Sequence, residues 1–160
     1  MDKDSIYFDA LKENLTKKLA VFDSIYNIVQ EQSEVLIDKE VDIDRFNQLL
    51  DEKEELIRQV DELDKSFETL YVRIKDILTD NKEEYRLAIV NMQDIIRNIT
   101  SLGVKIKVLE QQNKMKVEIY LENKKNIIKS FKSNSNMSKK YTQSMTNQHY
   151  GQSYFYDKKK

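Results

Sequence analysis

Apolar residues return every seven positions between Asp44 and Leu78. Leu49, Leu56, Leu63, Leu70 and Ile77 hold one position of the repeat. Phe46, Lys53, Val60, Phe67 and Ile74 hold a second, where Lys53 is the single polar departure. Leu50, Ile57, Tyr71 and Leu78 widen this seam into a face, and most other positions are charged. The spacing predicts a long amphipathic helix that needs other helices to cover it. Leu63 and Leu70 are expected at the centre of the resulting bundle.

The flanking segments carry the same signal. Phe8, Leu15, Phe22, Val29 and Leu36 recur at seven-residue intervals, supported by Leu11, Leu19, Ile25 and Tyr26, which predicts a first helix over about 4–37. Asp42 or Asp44 is placed to cap the second helix, which runs to about Leu78. Asn81 followed by Glu84 resembles a capping box that would start the third helix near Lys82. Its seam is Met92, Ile95, Ile99, Leu102, Ile106 and Leu109, with Ile96 alongside. Short connections make neighbouring helices antiparallel, so the expected fold is all-α, an elongated antiparallel three-helix bundle or coiled coil. Gly103 falls inside the third helix, where close helix contact or a slight kink explains it better than a ligand.

Length introduces a mismatch. The third helical pattern reaches about Lys132 and is the longest, so its last fifteen or so residues would extend roughly 20 Å past its partners. Val117, Tyr120, Leu121, Ile128 and Phe131 share one face of that overhang. Two readings follow. The face is exposed for a partner, or the helix breaks near Gln111–Asn113 and a short fourth helix folds back to bury it.

Composition sharpens the picture. The 160 residues include no proline, no cysteine and two glycines, and 34% are charged. Nothing through residue 130 is obliged to break a helix. Disulfides and thiol chemistry are excluded. The N-terminus lacks the apolar run of a signal peptide and no stretch suits a membrane span, so a cytoplasmic location without membrane insertion is expected. Residues 1–132 read as the helical domain. Residues 133–160 read as a flexible Ser/Asn/Lys/Tyr tail with net charge +4 on an acidic body, which gives no reason to expect nucleic acid. Within the body, 31–68 carries a net −9 and 104–132 a net +5, so the second and third helices should partly complement one another.

Catalytic equipment is missing. The only histidine, His149, lies in the tail. The chain has no Glu-x-x-His pair for a di-iron site and no glycine-rich phosphate loop, so no enzyme, cofactor or metal function is expected. Lys53 reads as a seam lysine whose stem packs while its ammonium reaches water or a neighbouring carboxylate, or as a polar residue selecting register.

The segment FNQLLDEKEELIRQVDELD, with its paired leucines Leu49 and Leu50, then Lys53, then Leu56 and Ile57, resembles the central helix of the FlgN family of flagellar export chaperones. The likeness extends over about 5–131: an N-terminal helix of similar length, a longer third helix with Gln112 and Asn113 late in it, and a flexible end. It implies a cytoplasmic chaperone for the hook–filament junction proteins FlgK and FlgL. Such chaperones bind a client's C-terminal amphipathic segment, prevent premature assembly and deliver it to the export apparatus. The overhang residues Val117, Tyr120, Leu121, Ile128 and Phe131 are then the expected client contacts, and a homodimer sharing the overhang is compatible with the pattern. Two alternatives remain: a structural coiled-coil adaptor without a client, and a FliT-like chaperone for the filament cap. Loss of the seam after Leu109, at Asn113, Lys116 and Asn123, favours a chaperone over a permanent coiled-coil scaffold.

Overall fold

A computed structural model describes residues 3–37 and 40–124. Three helices hold almost all of them: α1, Lys3–Ile37; α2, Ile43–Asp80; and α3, Arg86–Asn123. The chain runs up, down and up. Tyr7 meets Arg73 and Gln32 meets Lys53, so α1 and α2 are antiparallel. Phe8 meets Tyr85 and Val29 meets Asn113, so α1 and α3 run parallel. The all-α bundle read from the periodicity is the fold observed.

The start of α2 follows the sequence expectation. Asp42 is its N-cap, accepting from the Arg45 N–H at 3.0 Å and satisfying one of the free amides of the first turn. The start of α3 does not. Asn81 closes α2 instead of opening α3, donating its N–H to the Ile77 carbonyl at 2.8 Å. The chain then turns, and α3 begins at Arg86 after Tyr85, with no side-chain cap. A tertiary contact stands where the capping box was expected: the Tyr85 ring stacks on Phe8 at 4.3 Å between centroids.

α1 is the axis of the molecule. Both other helices pack along it, whereas no Cα of α2 comes within 8 Å of one in α3 among the described residues. The buried side of α1 alternates steps of three and four, through Phe8, Leu11, Leu15, Lys18, Phe22, Ile25, Val29 and Gln32. α3 answers with the same steps at Ile89, Met92, Ile96, Ile99, Gly103 and Ile106. Gly103 is buried there with ordinary helical backbone.

The seam of α2 is rotated from the expected one. Phe46, Lys53, Val60, Phe67 and Ile74 are buried, while Leu56, Leu63, Leu70 and Ile77 are half-buried. Leu63 and Leu70 therefore flank the core and do not form its centre. The physical reason is twofold. A straight helix drifts about 20° per heptad against a seven-residue repeat. α2 also meets only one neighbour closely, so only one of its two apolar lines is fully covered.

Within the described residues the third helix does not outlast α2, since each has 38 residues, and it exceeds α1 by only three. α3 passes unbroken through Gln111–Asn113, which removes the fold-back reading at that position. It ends where the Lys124 N–H donates to the Tyr120 carbonyl at 3.0 Å. Residues 125–132, over which most of the overhang was expected, lie outside the described residues.

Candidate docking surfaces along α3

Of the five expected client contacts, three can be placed. Val117 is buried, 6% exposed, against Phe46 of α2. Tyr120 and Leu121 are half-buried on the same small cluster, together with Val35 and Leu36 of α1 and Val41 and Ile43 at the α1–α2 connection. These three therefore cover the end of the bundle and do not project past it. Ile128 and Phe131 lie outside the described residues.

A polar layer separates this end cluster from the main core. Lys53 Nζ of α2 meets Glu110 Oε1 of α3 at 2.8 Å and Gln32 Oε1 of α1 at 3.3 Å. Lys53 is 1% exposed, so its ammonium does not reach bulk water and depends on these partners. Asn113 Nδ2 donates to the Val29 carbonyl at 3.1 Å, and Lys116 Nζ to Ser33 Oγ at 2.9 Å. In α1, Gln32 falls between Val29 of the main core and Val35 of the end cluster. In α3, Glu110 and Asn113 fall between Ile106 and Val117. Gln32 Nε2 and Asn113 Oδ1 are buried without a hydrogen-bond partner among the described residues, so the layer is incompletely satisfied.

The charge complementarity read between α2 and α3 is not the one found. Lys53 is a cation within the acidic stretch, and Glu110 an anion within the basic one. Other long-range pairs join α1 to α2: Lys18 with Asp64 at 2.7 Å, and Glu31 with Arg45. Because the α2 and α3 backbones stay apart, the bulk of their opposite charge faces solvent, where such pairs contribute little. Around Lys18, Asn14 Nδ2 also donates to the Leu63 carbonyl at 2.9 Å. Burial pushes the Lys18 ammonium below its ordinary value of 10.5, with Asp64 opposing the shift.

α3 also carries an outward apolar stripe, which lies outside the seam read from the sequence. Val104, Val108, Met115 and Ile119 are 56%, 50%, 62% and 58% exposed. Their spacing of four, seven and four residues puts them on one side of the helix, opposite Ile106 and Asn113. The signal was present as helical periodicity, but the stronger inward seam took precedence. Lys105, Lys107 and Lys114 flank the first part of the stripe and Glu118 and Glu122 its last part, all exposed. Among the described residues no group of three or more His, Asp or Glu could hold a metal, and no helix is long and apolar enough to cross a membrane.

A family model described as FlgN protein matches residues 1–149. The chain belongs to the FlgN family. The match takes in all three helices and continues past the 5–131 region that carries the resemblance in the sequence. The family is one of flagellar export chaperones, so membership assigns the chain to flagellum biogenesis and to flagellar protein partners in general. No curated protein and no solved structure matches the chain.

Proposed function

We propose that this FlgN-family chain is a cytoplasmic chaperone for the hook–filament junction proteins FlgK and FlgL. In this reading it holds the client's C-terminal amphipathic segment, prevents premature assembly and hands the client to the export apparatus. The observation that carries it is the family match across 1–149. The arrangement at the end of α3 supports it. Tyr120 and Leu121 are only half-buried in a small cluster set off from the main core by a polar layer. Such a cluster can exchange its own contacts for those of a client at lower cost than a main-core face can.

The proposed client contacts are Tyr120, Leu121, Ile128 and Phe131, with Val117 supporting them from beneath. An amphipathic client segment would lay its apolar side on them by groove recognition, and aromatic anchors such as Tyr120 dominate the affinity of interfaces of this type. The test is calorimetry of the full chain with the C-terminal segment of FlgK or FlgL, repeated on Tyr120→Ala and Leu121→Ala. The expected result is binding that weakens about tenfold or more in each variant while the melting temperature changes little. Absence of binding by both segments removes the client assignment.

A further inference from the structure

A helix on the outside of a small bundle normally turns charged residues to water, because exposed apolar side chains in register invite association. α3 departs from this over Val104, Val108, Met115 and Ile119, all at least half-exposed. The four span roughly 22 Å of helix, about four turns. The opposite side of α3 supplies the core through Ile99, Ile106 and Val117, so the stripe projects away from the bundle.

The stripe is symmetric about its own centre. Val104 and Ile119 share a midpoint with Val108 and Met115, between Gln111 and Gln112. A two-fold axis through that point, perpendicular to the helix, sets a second copy of α3 antiparallel to the first. Val104 then meets Ile119 of the second copy, Val108 meets Met115 of the second copy, and each contact occurs twice. Every apolar residue of the stripe has an apolar counterpart. Gln111 and Gln112, both exposed, sit at the axis.

The charges follow the same rule. Lys105 and Lys107 stand beside the first half of the stripe and Glu118 and Glu122 beside the last, all exposed. Lys107 and Glu118 are close to three full turns apart and therefore occupy one flank. Antiparallel pairing brings Lys107 within roughly 3 Å, along the axis, of Glu118 of the second copy, and Glu122 within about one turn of Lys105 of the second copy. Lys114 is the exception. It falls beside Lys107 of the second copy, and its compensating charge is Glu118, four residues on in its own helix. Parallel pairing would set lysine end on lysine end and glutamate end on glutamate end. Other occupants lack the match. Residues 125–160 hold eight lysines and one aspartate, so they bring almost no carboxylate to Lys105 and Lys107. Among the large apolar residues of α2 only Val72 is strongly exposed, so α2 of a second copy offers no apolar line.

We propose that the outward face of α3 from Val104 to Ile119 is a self-association surface, on which a second copy packs antiparallel about a two-fold axis at Gln111–Gln112. The inference does not depend on the chaperone reading. Val117 lies on the other side of α3, so such a dimer carries two end clusters, both away from the interface. One helix face of this length is small for a protein interface. The dimer is therefore weak: dissociated in dilute solution, with a Kd on the order of 0.1 mM.

Sedimentation equilibrium of the full chain up to about 1 mM tests this, and a monomer–dimer equilibrium is expected. Met115→Asp should raise its Kd at least about tenfold while leaving the melting temperature in dilute solution unchanged. Glu118→Lys should raise it about threefold or more, and adding Lys107→Glu should restore it. The chain has no cysteine of its own, so introduced thiols report the orientation. Under mild oxidation, Val108→Cys mixed with Met115→Cys should give mainly the mixed disulfide dimer, and Gln111→Cys should couple to itself. A chain that stays monomeric throughout overturns the proposal. So does a dimer indifferent to Met115→Asp, because its contact lies elsewhere. Preferential coupling of Val108→Cys to itself means a parallel pair and overturns it too, as does failure of Lys107→Glu to rescue Glu118→Lys.

Discussion

Lys53 Nζ lies 2.8 Å from Glu110 Oε1, and this pair is a direct link between two helices whose backbones stay more than 8 Å apart. The lysine side chain is 1% exposed and the glutamate 11%, so neither ion keeps full hydration. Their attraction, with Gln32 as a further acceptor, offsets a desolvation penalty that neither would bear alone. The pair fixes where α3 sits along α2 more than it adds net stability.

Removing one partner should therefore cost much more than removing both. Lys53→Ala is expected to destabilise the fold by about 3 kcal/mol, because Glu110, only 11% exposed, loses its buried cation. Lys53→Met combined with Glu110→Leu should cost less than half of that. Urea unfolding of the two variants is the check; equal costs would mean that the pair has no coupling.

Lys18 supplies a pH test. Burial lowers its pKa from 10.5, so the folded protein releases this proton before the unfolded chain does. Below the lowered value both states hold the proton, and the burial penalty on the charge is fully present. As pH rises toward 10.5 the unfolded chain binds more protons, and this group's contribution to unfolding free energy rises. Lys18→Met removes the titration. The stability of the variant minus that of the wild type should be flat near neutral pH and fall as 10.5 is approached. Chemical denaturation across an alkaline series measures the difference, and a flat difference throughout would refute the assignment.

The rotation of the α2 seam predicts an order of costs. Ile74 is fully buried and Leu63 only partly. Ile74→Ala should destabilise by roughly 2–5 kcal/mol through lost burial and a residual cavity. Leu63→Ala should cost less than half as much, despite holding the more regular heptad position. Denaturant midpoints of the two variants decide it; the reverse order would restore the leucine line as the centre.

Two residues two positions apart on α3 should behave oppositely. Val117 is buried against Phe46, and Met115 faces outward. Val117→Ala should cost about 1–2 kcal/mol. Met115→Ala should stay within about 0.5 kcal/mol of the wild type, the range of surface substitutions. Thermal melts of both variants suffice, and a large loss at Met115 would show that its face is covered.

The sequence by itself determined the all-α bundle, the extents of the first two helices to within a few residues, a carboxylate cap at Asp42 or Asp44, and the family resemblance. Those features are local: a seven-residue apolar repeat, a carboxylate before a helix, and a chain without proline to interrupt it. The Leu49, Leu50 and Lys53 spacing in α2 carries the resemblance to the FlgN family without any tertiary information. Tertiary structure decided what local pattern cannot encode. Heptad spacing names two apolar lines on α2 but does not say which one is covered, since that depends on α1 standing between α2 and α3. Asn81 carries a capping signature, yet the Tyr85–Phe8 stack and the Asn81–Ile77 hydrogen bond hold α3 back to Arg86. Val117 and Met115 look equally apolar in the chain. The helix turns one toward Phe46 and the other to solvent, because burial belongs to the packed arrangement and not to the residue.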